Sequence, residues 1–160
     1  MRRSLLAAGG AAVLAACAAP PPRNEAFALP PFPEARHLIA FEVGAAGDFR
    51  YFVDAASLSV SGGVVRYTLV ARSPSAVENV MHEAIRCSSG DYRIHAVGRD
   101  GRWAGREGDW RPIPGAGAQP WRSTLQREYF CPQNEPIRSA AEGVRALREG
   151  GHPFAKGFGS

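Results

Sequence analysis

The chain has 160 residues, 45% of them hydrophobic, with a formal net charge of +4. Two of its 19 basic residues, Arg2 and Arg3, stand in the opening segment, and without them 17 basic residues face 15 acidic ones. That length suits one domain rather than two. The near-neutral, interspersed charge lacks the clustered basic patch of a nucleic-acid binder, so no nucleic-acid partner is expected.

The first sixteen residues divide into a basic start, Met1 to Ser4, and an uncharged run from Leu5 to Ala16. A dozen apolar residues suit the core of an export signal and fall short of the ~20 needed for a permanent span. Leu14-Ala15-Ala16-Cys17 resembles a bacterial lipobox, which predicts cleavage between Ala16 and Cys17 and lipid on the Cys17 thiol. The alternative is an ordinary secretory signal cut elsewhere. Arg2-Arg3 also loosely matches a twin-arginine export signal. Ala18 is not the aspartate that retains such lipoproteins in the inner membrane. The expected location is therefore the outer membrane, on its periplasmic side. No later stretch is long and apolar enough to cross a membrane.

Residues 17–36 read as anchor and tether, with Pro20, Pro21, Pro22, Pro30, Pro31 and Pro33 favouring extended backbone. The sixteen residues from Ala18 to Pro33 reach ~50 Å at most. A proline-rich ligand for a groove-binding partner is the other reading.

With Cys17 assigned to lipid, Cys87 and Cys131 remain, and in an oxidising compartment the pair is expected to be bridged. A metal pair or a catalytic thiol competes, although neither cysteine lies in Cys-x-x-Cys or has a histidine at ligand spacing.

The folded domain is expected over 37–150, with a flexible tail over 151–160. His37 to Val43 is strand-like. Phe49 to Val53 alternates into a turn-like step, Asp54-Ala55-Ala56-Ser57, and Leu58 to Val60 resumes extended character. After the turn signal Ser61-Gly62-Gly63, Val65, Tyr67, Leu69 and Ala71 share one strand face. Val77 to Cys87 and Tyr92 to Gly98 follow, the latter with Tyr92, Ile94 and Ala96 together. Asp100-Gly101 marks a hairpin. Residues 105–120, rich in Gly and Pro, read as a packed loop, and Ser123 to Cys131 as a short element of open type.

Asn134 or Glu135 can cap a final helix with Pro136 in its first turn, Ile137, Ala140, Ala141, Val144 and Leu147 on one face, and a stop at Gly150-Gly151. The fold class that follows is α+β: one antiparallel sheet of five or six strands with a C-terminal helix packed on one face.

Several strings carry a family resemblance. They are Tyr51 to Val60, Gly63 to Ser73, Glu78-Asn79-Val80, Glu83 to Cys87, Tyr129-Phe130-Cys131-Pro132 and Val144 to Leu147. In order and spacing, from about Phe41 to Gly150, they are similar to the cryptic neisserial protein-like (CNP-like) family. The resemblance implies an exported, often lipid-anchored protein of Gram-negative bacteria. The family has no assigned activity, so no catalytic residue carries over. A weaker likeness, of architecture alone, is to the surface-adhesin protein E family, which implies an antiparallel sheet with a C-terminal helix and binding of host matrix proteins.

Sites for chemistry are sparse. His37 adjoins the tether, and His152 follows the helix stop in what reads as a loose tail. His82 and His95 lie on neighbouring strands, but Glu83 points to the face opposite His82. No HExxH, GxSxG or phosphate-loop pattern appears. Asp54 reads as a turn former or a functional carboxylate. Trp103, Trp110 and Trp121 read as core and rim or as an aromatic ligand surface. Asp54, Trp103 and Trp110 are the candidate binding surface. No catalytic residue, metal or cofactor is expected; the partners expected are the membrane, through the lipid, and an envelope protein. The sequence leaves a periplasm-facing binding or structural lipoprotein ahead of a surface-displayed adhesin, and both ahead of an enzyme.

Overall fold

The computed structural model describes residues 28–44, 47–105, 108–115 and 119–155. The signal, Cys17 and most of the tether lie outside these residues.

Six strands follow one another across a single antiparallel sheet: β1 (Leu38–Phe41), β2 (Arg50–Ser61), β3 (Val64–Arg72), β4 (Glu78–Arg86), β5 (Asp91–Arg99) and β6 (Arg102–Gly105). A two-residue seventh, β7 (Arg111–Pro112), pairs with the start of β5, so part of the expected loop over 105–120 belongs to the sheet. Each connection within the six-strand path joins nearest neighbours, which is why tight turns at Gly62-Gly63 and Asp100-Gly101 suffice.

The alternation in β3 has the expected outcome. Val65, Tyr67, Leu69 and Ala71 all enter the main core, where Val53 and Ile85 of neighbouring strands join them. The helical layer covering that face begins with α1 (Pro120–Thr124). It runs directly into a π-helical turn over Leu125–Phe130, in which Cys131 N–H donates to the Gln126 carbonyl at 2.9 Å. This continuous helical piece is the element left open between Ser123 and Cys131. It buries Leu125, Tyr129 and Phe130 against the sheet.

The last helix, α2 (Ala140–Arg148), starts later than expected, and its cap is Ser139, whose hydroxyl accepts from Glu142 N–H. Gln133 and Asn134 both take left-handed backbone, which breaks the chain direction before a helix can begin. Ile137 still reaches the core, ahead of the helix instead of within it. Gly143 faces β2 so closely that an added Cβ would lie 2.6 Å from both Ile137 Cδ1 and Leu58 Cδ2. A larger residue there would require Ile137, Leu58 or the helix itself to shift. At the far end Gly150 takes a left-handed conformation and Gly151 N–H closes on the Ala146 carbonyl at 2.9 Å.

Three further expectations change. The tether ends sooner, because Phe32 packs on the second face of the sheet with Phe52, Val70, Val80, Leu38 and Trp103. The tail is not free from Gly151 onward: His152 is buried, its N–H meets the Glu128 carbonyl and its Nε2 lies 3.1 Å from Glu142 Oε1. Residues 156–160 lie outside the described part. Lastly, Ala96 leaves the face of Tyr92 and Ile94. Ile94 pairs with Glu83 but Ala96 with His82, so His95 is an extra residue on β5 and everything beyond it changes side.

Candidate functional site

Asp54 is the residue the sequence singles out most strongly, and the local backbone explains it. Asp54 pairs with Thr68 and Ser59 with Arg66, so residues 55–58 stand opposite Tyr67 alone. The Asp54 carboxylate accepts the Ala56 N–H at 3.0 Å. The Ser57 hydroxyl donates to the Asp54 carbonyl and accepts the Thr68 N–H, both at 2.8 Å. The Asp-Ala-Ala-Ser step is therefore a side-chain-braced bulge, tied to its own backbone by Asp54 and to β3 by Ser57. Asp54 is buried, and burial raises its carboxyl above the usual range against the lowering effect of the Ala56 N–H and of His37, 3.9 Å away.

From Asp54 a polar line crosses the second face through Thr68 to His82, where Thr68 Oγ1 and His82 Nδ1 are 3.0 Å apart. The rings of His82 and His95 lie 5.9 Å apart, so the two histidines do meet. Burial, then the electrostatic influence of His95 and Arg66, lowers the His82 pKa to about 3 and keeps the ring neutral. A hydroxyl beside a neutral imidazole resembles half of a nucleophilic pair, but both side chains are fully buried beneath their neighbours. Neither side chain is open to solvent in this conformation.

Glu83 points the other way, into the core, as strand alternation requires. Its carboxylate receives the Arg122 guanidinium through both oxygens, with Nε–Oε2 at 3.0 Å, and the Tyr67 hydroxyl at 3.1 Å. The guanidinium also lies 3.9 Å over the Tyr92 ring. Burial works to lower the Arg122 pKa, and the Glu83 carboxylate overrides it, leaving it raised. Sequence reading missed this group. The available signal was Glu83 itself, a carboxylate at an inward strand position that requires a cation.

Of the candidate surface, Trp103 lies on the second face. Its indole N–H donates to the Pro30 carbonyl at 2.7 Å, and its ring is 5.1 Å from Phe32. Trp110 is elsewhere. It sits next to β7, which pairs with Tyr92, and the Arg86 guanidinium lies 4.0 Å over its ring. Trp103 pairs with Gly98, six residues along β5, a separation of ~20 Å. Asp54, Trp103 and Trp110 therefore do not form one surface.

A different aromatic group does line an opening. Phe49 stacks on Tyr51 at 6.3 Å and Tyr51 on Trp121 at 5.5 Å, bordering an apolar groove of about 390 Å³ with Met81, Val97 and Asn79. Cys87 and Cys131 are joined by a disulfide, Cα atoms 5.3 Å apart, tying the end of β4 to the π-helical turn. Among the described residues no group of three or more potential metal ligands is brought together.

These features define a small disulfide-braced α+β domain, an antiparallel sheet sealed on one face by helices. Residues 18–148 match the model of the CNP1-like family, and the chain belongs to that family. Searches of curated proteins and of solved structures found no match.

Proposed function

We propose that the protein is a lipid-anchored envelope protein with a binding or structural, non-catalytic role, facing the periplasm from the outer membrane. The observation that carries this reading is the division of the three cysteines. Cys87 and Cys131 are consumed by the bridge, and the third, Cys17, stands in Leu14-Ala15-Ala16-Cys17 behind a basic-then-apolar opening. A bridged core pair suits an oxidising compartment. The burial of Thr68 and His82 supports a non-catalytic role, because this hydroxyl–imidazole pair on the second face is closed to solvent.

The test is Cys17→Ala in cells fed a labelled fatty acid. The reading expects loss of the label and release of the domain from the membrane fraction. A variant that stays membrane-bound and labelled refutes it. Protease added to intact cells tests the orientation: protection is expected, and degradation would favour surface display.

A further inference from the structure

Strand register collects unlike features at one end of the sheet. Arg50 pairs with Arg72, Arg72 with Glu78, and Arg99 with Arg102, so β2, β4 and β6 begin where β3 and β5 finish. Four large apolar side chains are exposed among the described residues: Leu29, Phe49, Val77 and Phe154. Phe49 immediately precedes β2 and Val77 immediately precedes β4, which places both at this end. Leu29 joins them, because the neighbouring Pro30 carbonyl is held by Trp103, one residue into β6. The three are 37%, 40% and 60% exposed for Leu29, Phe49 and Val77 respectively. Phe154 instead packs beside His152 on the helical side. The aromatic groove bounded by Phe49, Tyr51 and Trp121 lies at the same end.

We infer that this end of the sheet is a lipid-docking surface, inserting Leu29, Phe49 and Val77 into the headgroup region of the bilayer that holds the anchor. The inference rests on the proposed lipidation of Cys17. The occupant follows from where the described chain begins and how much precedes it. Between Cys17 and Ala28 lie only residues 18–27, which can span at most ~36 Å even when fully extended. The Trp103–Pro30 bond brings the chain into the domain at this end, so the anchor keeps the apolar side chains within reach of the membrane. Apolar and aromatic side chains are favoured at such an interface.

Charge sets the character of the contact. Among the described residues, Arg50, Arg72, Arg99 and Arg102 are balanced at this end by Glu42, Asp48, Glu78 and Asp100, and Arg72 is already paired with Glu78 at 2.6 Å. The docking is therefore apolar and needs no anionic lipid, unlike a polybasic contact.

The test uses the full acylated protein with a single environment-sensitive fluorophore on Val77→Cys, or on Ser61→Cys at the opposite end, in phosphatidylcholine vesicles. Flotation with the vesicles and the mass of the N-terminal peptide report the anchor independently. The expected result is a several-fold fluorescence gain at position 77 and none at 61. Adding phosphatidylglycerol or salt should leave the gain unchanged, and Leu29→Ser with Phe49→Ser should reduce it to less than half. Protein that floats but shows the same signal at both positions overturns the docking and leaves the anchor standing. A gain at 77 that needs protein concentration and no vesicles also overturns it, in favour of a contact between copies. Protein that carries no lipid and does not float overturns both.

Discussion

Glu83 and Arg122, 39 residues apart in sequence, form an ion pair almost wholly removed from solvent between the sheet and the helical layer. Tyr67 completes the carboxylate's shell. Removing one partner of such a pair leaves a buried charge, which costs ~3–5 kcal/mol, whereas replacing both with apolar residues of similar volume is often neutral. Arg122→Met alone should therefore lower unfolding free energy by about that amount in urea melts. Adding Glu83→Leu should restore most of the loss. Equal losses in the single and double variants would show that the pair's charges are not what the site balances.

His82 gives the fold an acid sensitivity with a definite sign. Its folded pKa of about 3 lies below the unfolded value of ~6.5, so between these limits the unfolded chain binds more protons. Its contribution to stability is present above pH ~6.5 and is lost progressively as pH falls toward ~3. Asp54 acts in the opposite sense, since a raised carboxyl favours the folded state as it protonates. His82→Gln keeps a group able to bond Thr68 and should flatten the midpoint-against-pH curve across that window. An unchanged slope would remove His82 as its source.

The disulfide closes 44 residues of sequence separation. On the chain-entropy model such a loop contributes ~4 kcal/mol. Cys87→Ser with Cys131→Ser should show a loss of a few kcal/mol in denaturant melts, and thiol titration of the unfolded, unreduced domain should find neither Cys87 nor Cys131 free. One free thiol per chain at these positions would contradict the pairing.

On the second face, Gly98 makes room for the segment that leads into the domain. A Cβ there would lie 2.7 Å from Val80 Cβ and 2.9 Å from the Phe32 ring. Gly98→Val should expel Phe32 and expose Trp103, giving a red-shifted tryptophan emission and faster proteolysis near Pro30. Emission and cleavage like those of the parent chain would mean that Phe32 does not depend on that gap.

The sheet was legible where a strand carries a period-two pattern and its turn is made of residues suited to it. Val65, Tyr67, Leu69 and Ala71 illustrate this, as do Gly62-Gly63 and Asp100-Gly101. That Asp54 bonds nearby backbone was legible for the same local reason, although the step is a bulge within β2 and not the expected turn. What stayed hidden depends on distant chain. The His95 bulge moves Ala96 across the sheet without changing the alternation of the sequence, and Arg122 finds Glu83 only once the helical layer is in place. Phe32 looked like tether because prolines surround it, yet its ring has a partner in Trp103 more than seventy residues away. Ser139 caps the last helix where Asn134 or Glu135 is expected, since nothing local announces that Gln133 and Asn134 turn left-handed.

The central claim concerns Cys17, and the mature N-terminus tests it most directly. Protein purified from membranes, cut after Arg23, should yield a peptide that begins at Cys17 and carries the mass of a diacylglyceryl group. An unmodified Cys17, or a chain that begins at any other residue, would contradict the account.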